Sequence, residues 1–412
     1  MKVLAGTDYH FAEAMSDSQF DRIHSRANTS CVKYDLRGEV FGNPNVIPMW
    51  VADMDIATPH FILDAITQRC QHPILGYSFR GKAYNDAIVW WNRARHGWDI
   101  DPEWITFCAG VVSGLNHAIQ AFTSPGDGVI IQPPVYPPFF HTVRNNRREL
   151  LLNPLIETNG HYTMDFDGLE RLAASGAKMI IVSNPHNPVG RVWTREELAR
   201  LGEICLKYDV LVVSDEIHSD LILRPHHHIP FASLNERFAA SSVTFASVSK
   251  TFNVAGLASG YAIISSSELR RRYNDALELT GSGMGNVFGC VALEAAYSKA
   301  GEEWLHELLE YLRGNVELVK HYMETHLPAV KLTEPQGTYL LWLDFRSFGM
   351  AEKALNELLI RKAQVGLNHG GAFGEQGQGF QRMNIACPRA ILNEALGRIG
   401  ETFANLKPES GK

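Results

Sequence analysis

Six cysteines are scattered through 412 residues, and no two of them form a CxxC pair. Without that spacing the chain lacks the signature of a structural zinc site or a thioredoxin-like redox centre. Scattered cysteines fit reduced, mostly buried thiols in a cytoplasmic protein. No apolar run is long enough to span a membrane, and no N-terminal stretch has the charged-then-apolar pattern of a signal peptide. Positive charge is not in excess: 38 Lys and Arg against 45 Asp and Glu give a net charge of −7. The chain therefore carries no nucleic-acid footprint. Its basic clusters, Arg144, Arg147, Arg148 and Arg270–Arg272, read as solvated faces. Internal repeats and low-complexity tracts are missing. No G-x-G-x-x-G follows the first strand, which disfavours a Rossmann dehydrogenase. The run His226–His228 follows Arg224-Pro225 with no further ligand pattern, so it reads as an exposed polar loop, and no metal is expected.

Hydrophobic residues at 45% and charged residues at 20% are ordinary for a globular chain. At this length two domains are expected. Short apolar runs at 128–132, 177–183, 210–214 and 243–247 read as buried strands. Residues 113–122 and 194–208 read as helices between them, the second opening on Thr194 with Glu197 at the capping-box position. This alternation predicts an α/β fold with a mostly parallel sheet. Beyond residue 290 helical patterns at 291–300 and 302–326 precede a strand-like 337–345 and a helical 390–406. We expect a large cofactor-binding domain at 60–290. A small α+β domain would be built from residues 291–412 together with an N-terminal segment, 1–59.

The polar residues that stand out follow predicted strand ends, where open α/β sheets bind ligands. Lys250 closes the hydroxyl-rich run Ser247-Val248-Ser249 and precedes an apolar turn. Partial burial lowers an ammonium pKa, which suits a lysine that holds an aldehyde cofactor as a Schiff base. Otherwise it is a surface lysine. Asp215 ends LVVSD, and a buried carboxylate needs a partner. It is either a helix cap or the partner of the pyridine nitrogen of pyridoxal phosphate (PLP), whose ring then acts as an electron sink. His218 can orient Asp215, meet the cofactor phenolate, or be a satisfied structural histidine. Asn187, in Asn184-Pro185-His186-Asn187-Pro188-Val189-Gly190, can present its amide to that phenolate. Gly110-Val111-Val112-Ser113-Gly114 leads from a strand into a helix. The backbone N–H groups of Val111, Val112 and Ser113 form an anion site for the phosphate, helped by Ser247 and Ser249. Tyr136, between prolines at 133–138, can stack on an aromatic cofactor. Arg382 offers a planar fork for an α-carboxylate.

In this order and spacing, Lys250, Asp215, Asn187 and Arg382 resemble the fold-type I PLP enzymes of the class I/II aminotransferase superfamily, over roughly residues 35–400. The fold so implied is aspartate-aminotransferase-like. Pro48-Met49-Trp50-Val51-Ala52-Asp53-Met54-Asp55, the Pro-Pro-Val-Tyr-Pro-Pro run and Asp215-Glu216-Ile217-His218 resemble its cystathionine β-lyase (C–S lyase) branch. Many aminotransferases have tyrosine where this chain has His218, and a phosphate-binding arginine where it has Ala258. The resemblance implies a homodimer, with Tyr77 reaching a phosphate across the interface and the segment of Asn286 crossing to the neighbouring site. Trp50, Ala52, Tyr136, Asn187 and Arg382 would line the substrate pocket. It further implies β-elimination from cystathionine or an S-substituted cysteine, giving thiol, pyruvate and ammonia, with Lys250 taking the α-proton. An aminotransferase on the same cofactor is the alternative. A regulatory protein that contacts a transcription factor is another, and it would not depend on Lys250.

Overall fold

The structure is a computed structural model and describes residues 18–406 and 408. The first 17 residues of the expected N-terminal segment, and residues 407 and 409–412 of the expected C-terminal one, lie outside the described residues. Seven strands form the main sheet: β1 (Ile105–Cys108), β2 (Gly128–Ile131), β3 (Glu149–Leu152), β4 (Met179–Ser183), β5 (Leu211–Asp215), β6 (Ser242–Ser247) and β7 (Gly260–Ile263). Their order is β1-β7-β6-β5-β4-β2-β3. Only β7 runs antiparallel to its neighbours.

Ten helices matter below: α1 (His60–Cys70), α2 (Lys82–His96), α3 (Val111–Phe122), α4 (Pro137–Asn145), α5 (Phe166–Ala174), α6 (Arg195–Lys207), α7 (Ser267–Leu279), α8 (Val287–Ala296), α9 (Lys299–His326) and α10 (Arg389–Phe403). Successive residues of a strand face opposite sides of its sheet. Ile180 and Val182 of β4 accordingly join a core with Leu169 of α5 and Leu198 of α6. Met179 and Ile181 join another with Leu115 of α3 and Tyr273 of α7. Both faces are covered, which is why these strands read as unbroken apolar runs rather than alternating ones.

A second, antiparallel sheet has the order β8 (Lys331–Leu332), β9 (Leu340–Asp344), β11 (Phe380–Asn384), β10 (Asn368–His369). Near the N-terminus, Ile47–Pro48 pairs in parallel with Val365–Gly366, which ties the segment before the Trp50 loop to the C-terminal third. The expected boundary at residue 290 falls inside α8, which packs on α1.

Most expected elements are present with shifted ends. Helix α3 starts at Val111 rather than 113, α8 spans 287–296 rather than 291–300, and β9 spans 340–344 within the expected 337–345. The capping box of α6 is complete: Glu197 N–H donates to Thr194 Oγ1 (3.2 Å) and Thr194 N–H to Glu197 Oε2 (2.8 Å). Three expectations need correction. The histidine run is not an exposed loop throughout: His227 is exposed, but His228 is buried with Nε2 2.8 Å from Glu216 Oε2. Only three of the six cysteines, Cys108, Cys205 and Cys387, are buried. The basic clusters are not simply solvated, since Arg148 donates to the last carbonyls of α3 and Arg270 to Ile264 O.

Candidate active site

Parallel strands bring their C-terminal ends to one edge of the sheet, and the loops that leave this edge carry the polar residues. β1 leads into Gly110 and α3, and β2 into Pro133–Tyr136 and α4. β4 leads into the Asn184–Gly190 loop, β5 ends on Asp215, and β6 ends three residues before Lys250. The arrangement follows from topology alone, because every β–α connection between parallel strands leaves from the same edge.

Lys250 lies in a single helical turn, Val248–Thr251, capped by Ser247, whose Oγ accepts from Ser249 N–H (3.1 Å). Its Nζ donates to the carbonyl oxygen of Ala52 (2.7 Å). Burial, aided by the Arg382 charge, pulls the amine down to about 8, while Asp53 and Asp215 oppose the shift. Near neutral pH a useful fraction is thus unprotonated, as a nucleophile or base requires.

Asp215 is buried at the end of β5, and its Oδ1 accepts from Ile217 N–H (3.1 Å). Among the described residues no cation forms an ion pair with it. Burial drives its carboxyl up to about 7, against the Ile217 hydrogen bond and the charge of Lys250. A carboxylate left in this setting is unfavourable without a cationic partner, and a protonated ring nitrogen is one. His218 is buried as well, edge-on to Tyr339 with centroids 6.0 Å apart. Its Nδ1 has no hydrogen-bond partner, so it is not the satisfied structural histidine that the sequence allowed. Burial and then the charges of Lys250 and Arg382 push its pKa down to about 3, which keeps the ring neutral.

Arg382, in the middle of β11, is buried rather than on the surface. Its Nη1 donates to Asn187 Oδ1 (3.0 Å), and its Nη2 to Trp50 O (2.9 Å) and Asn368 Oδ1 (2.7 Å). All three acceptors are neutral, and Nε has no partner. Burial lowers the guanidinium to about 10, against Tyr136 and Tyr339, and among the described residues no carboxylate pairs with it. A buried guanidinium without a counter-ion is a receptor for a carboxylate. Asn187 is buried, and its backbone N–H donates to Ser183 Oγ (3.2 Å). Tyr136 precedes α4 and packs edge-on against Phe139 with centroids 6.1 Å apart; burial raises its hydroxyl pKa, with Arg382 acting the other way.

The loop 50–55 closes the site. Trp50 contributes its carbonyl to Arg382, while its indole N–H is bound to Lys33 O (3.0 Å) and its ring meets Phe41 edge-on. Asn384 Nδ2 holds both Val51 O and Asp53 O, at 2.6 Å each. Asp53 and Asp55 are in turn paired with Arg26 and Lys33.

Helix α3 begins at Gly110, which offers no side-chain cap, so the N–H groups of its first turn are available to an anion. Cys108, Gly260 and Ser247 lie side by side across β1, β7 and β6. This register sets the Ser247–Ser249 turn opposite the start of α3. A Cβ at Gly260 would lie 2.9 Å from Cys108 Sγ and 3.4 Å from Gly110 Cα, so only glycine permits this approach. The Ser247 hydroxyl is engaged with Ser249 Oγ (3.0 Å) and Ser259 O and caps the Val248–Thr251 turn.

Two sequence expectations are not gathered into this site within one chain. Tyr77 is 97% exposed, in a stretch where Ile74, Leu75 and Phe79 are exposed too. Asn286 caps α8, its Oδ1 accepting from Gly289 N–H (2.7 Å). Their segments are linked by Arg80, whose Nη2 donates to Gly283 O (2.8 Å). Sequence reasoning missed Tyr339, Asn368, Asn384 and the pairing of Asp53 and Asp55 with Arg26 and Lys33. No spacing signals them, because each reaches the site through a tertiary contact with the 50–55 loop or with Arg382.

The residues fit PLP on these grounds: an unpaired buried carboxyl, an orphaned imidazole nitrogen, an uncapped helix start and a desolvated amine share one strand edge. The family described as aminotransferase class I and II matches residues 52–399. Cystathionine β-lyase PatB of Bacillus subtilis (strain 168) is 46% identical over 381 residues, covering 92% of this chain and 98% of its own. Among solved structures, cystalysin from Treponema denticola, which contains a pyridoxal 5'-phosphate cofactor, superimposes with a TM-score of 0.91. It is 38% identical, over 94% of this chain and 99% of that one. The PLP-bound C–S lyase from Staphylococcus hominis gives a TM-score of 0.87 at 34% identity, over 93% and 97% of the two chains. On this coverage and this site, the chain belongs to the class I and II aminotransferase family, with the aspartate-aminotransferase-like fold of its PLP enzymes.

Proposed function

We propose that this protein is a PLP-dependent carbon–sulfur lyase that eliminates a thiol from the β-carbon of a sulfur amino acid, leaving pyruvate and ammonia. Cystathionine or an S-substituted cysteine is the substrate class, in keeping with the 46% identity to a cystathionine β-lyase. The observation that carries the reading is the desolvated Lys250 amine, brought down to about 8, in one site with a buried arginine fork whose three acceptors are all neutral.

Lys250 and Asp215 would hold the cofactor at its aldehyde and at its ring nitrogen. Asn187, Tyr136 and His218 would meet its ring and phenolate, and the first turn of α3 with Ser247 and Ser249 its phosphate. Bound there, PLP supplies an electron sink for charge developing at the substrate α-carbon. Arg382 fixes the substrate α-carboxylate and thereby its Cα–H bond. The neutral Lys250 amine takes the α-proton, and as an ammonium it can return a proton to the departing thiolate. Asp215, recharged by its cationic partner, keeps the ring nitrogen protonated. Ala52 and the Trp50 loop bound the side-chain pocket.

We further propose a cytoplasmic homodimer in which Tyr77 of one chain completes the phosphate site of the other. The exposed apolar side chains Ile74, Leu75, Phe79, Leu279 and Met284 favour that assembly. Residues 60–290 would act as the cofactor-binding unit, with 291–412 and the N-terminal segment as the smaller one.

Pyruvate release from L-cystathionine tests the reading. Pyruvate without any added 2-oxo acid, lost in Lys250→Ala, is the expected result. Amino transfer that needs a 2-oxo acid, with no pyruvate from cystathionine, would replace the lyase by an aminotransferase.

A further inference from the structure

Tyr339 was not singled out by the sequence and has no part in the reading above. It stands just before β9, is fully buried, and its ring meets that of His218 at a near-right angle with centroids 6.0 Å apart. Its hydroxyl donates to the carbonyl oxygen of Ala52 at 3.0 Å. The same oxygen accepts from Lys250 Nζ at 2.7 Å. One carbonyl thus takes two donors, one from the reactive amine and one from a phenol.

This carbonyl does not float. The carbonyls of the two residues flanking Ala52, Val51 O and Asp53 O, are both held by Asn384 Nδ2. The next carbonyl, Met54 O, is held by Asn253 Nδ2 (3.0 Å) and Arg26 Nη1 (3.1 Å). Its amide donates to Asn253 Oδ1 (3.0 Å). The charges that bear on Lys250 come from several elements: Asp53 from the same loop, Arg382 from β11 and Asp215 from β5. Tyr339 is the uncharged member of this ring, and it alone shares the lysine's acceptor.

Resting on the proposed role of Lys250, we propose that Tyr339 is a positioning residue for the free Lys250 amine: it fixes the Ala52 carbonyl to which Nζ donates whenever it is not bound to the cofactor, and takes up part of that oxygen's accepting capacity. A carbonyl oxygen has two lone pairs, and a second donor weakens its hold on the first. With the phenol in place, the amine is steered without being held too firmly in its charged form. Without it, Ala52 O would accept from the ammonium alone. Hydrogen bonding to the charged form favours that form, so the amine would retain its proton to higher pH.

Tyr339→Phe tests this, because it removes one oxygen and keeps the ring on His218. The control is Tyr162→Phe, which removes a buried hydroxyl that accepts from the Trp342 indole (3.1 Å), away from Lys250. In the full-length chain freed of PLP, with lysines reductively 13C-methylated, the Lys250 resonance is titrated; Lys250→Ala identifies it. A rise of roughly half a pH unit or more in Tyr339→Phe, and none in Tyr162→Phe, is expected. In the PLP-loaded enzyme, the acid limb of the kcat profile should move up by the same amount, with KM changed less than about twofold. A Lys250 titration that is unmoved, or that moves downward, in Tyr339→Phe overturns the proposal. So does an equal shift in the control. If Lys250→Ala keeps lyase activity, it is the proposed function that fails, and the two failures are thereby distinguished.

Discussion

Asp215 and Lys250 lie in the same desolvated site, and burial shifts the two in opposite directions. The Asp215 carboxyl is raised to about 7, so between its ordinary range near 4 and that value the folded chain binds the proton better than the unfolded chain does. Its ionisation costs stability as pH rises through this window, and the whole cost stands above it. Without PLP, Asp215→Asn should therefore be more stable than the parent at pH 8, by on the order of 1–3 kcal/mol, with the gain vanishing near pH 4. Urea unfolding at the two pH values measures it. With PLP the same change should lower kcat/KM by about two orders of magnitude or more, because the ring nitrogen loses its charged partner. Arg382 makes the complementary case. Arg382→Lys keeps a charge but loses the fork, so KM for the amino acid should rise at least about tenfold with a smaller change in kcat. A loss confined to kcat would instead mean that Arg382 does not bind the substrate carboxylate. Lys250, Asp215 and Asn187 stood out because each lies at or just past a strand end or in a proline- and glycine-marked loop, and Arg382 because it is a charge within an apolar strand. Tyr339 and Asn384 did not, since a tyrosine or asparagine in or beside an apolar strand looks the same whether or not it meets a loop 287 to 333 residues away.

At the scale of elements, the sequence indicated the central strands β2, β4, β5 and β6 because the sheet is covered on both faces and these strands are continuous apolar runs, whereas α1, α2, α4, α5 and α7 were not indicated. The ends were less legible. Helix α3 starts at Val111, where valines extend the apolar signal of β1 and hide the switch from strand to helix. The antiparallel strand β7 carried no signal that set its direction, although it holds β1 and β6 apart at the candidate phosphate site. Gly260, its first residue, gives the sharpest test. A methyl group there would press on Cys108 Sγ and Gly110. Gly260→Ala should weaken PLP binding by about tenfold or more, since the start of α3 must move. Titration of the cofactor-free chain by visible absorbance reads this directly, and an unchanged affinity would detach this corner from the phosphate.

At the scale of the molecule, the exposed stretch Ile74–Phe79 and the segment Leu279–Met284, tied by Arg80 to each other, present apolar area that a single chain does not cover. Sedimentation should give a mass near twice that of the 46.0 kDa chain. Phe79→Asp should shift it toward the monomer and reduce activity at low protein concentration, with recovery as concentration rises. A monomeric parent that keeps full activity would contradict the shared-site arrangement. The sequence by itself determined the fold class, the chemical identity of the principal polar residues and their order along the strand ends. These are local properties, set by periodicity, by proline and glycine, and by the cost of leaving a charge in an apolar run. Only the tertiary structure decided that the Trp50–Asp55 loop closes over Lys250, that Arg382 lacks a counter-ion, and that Tyr339 shares the lysine's acceptor. Those facts depend on contacts between segments far apart in the chain, and burial is what turns such contacts into shifted proton affinities.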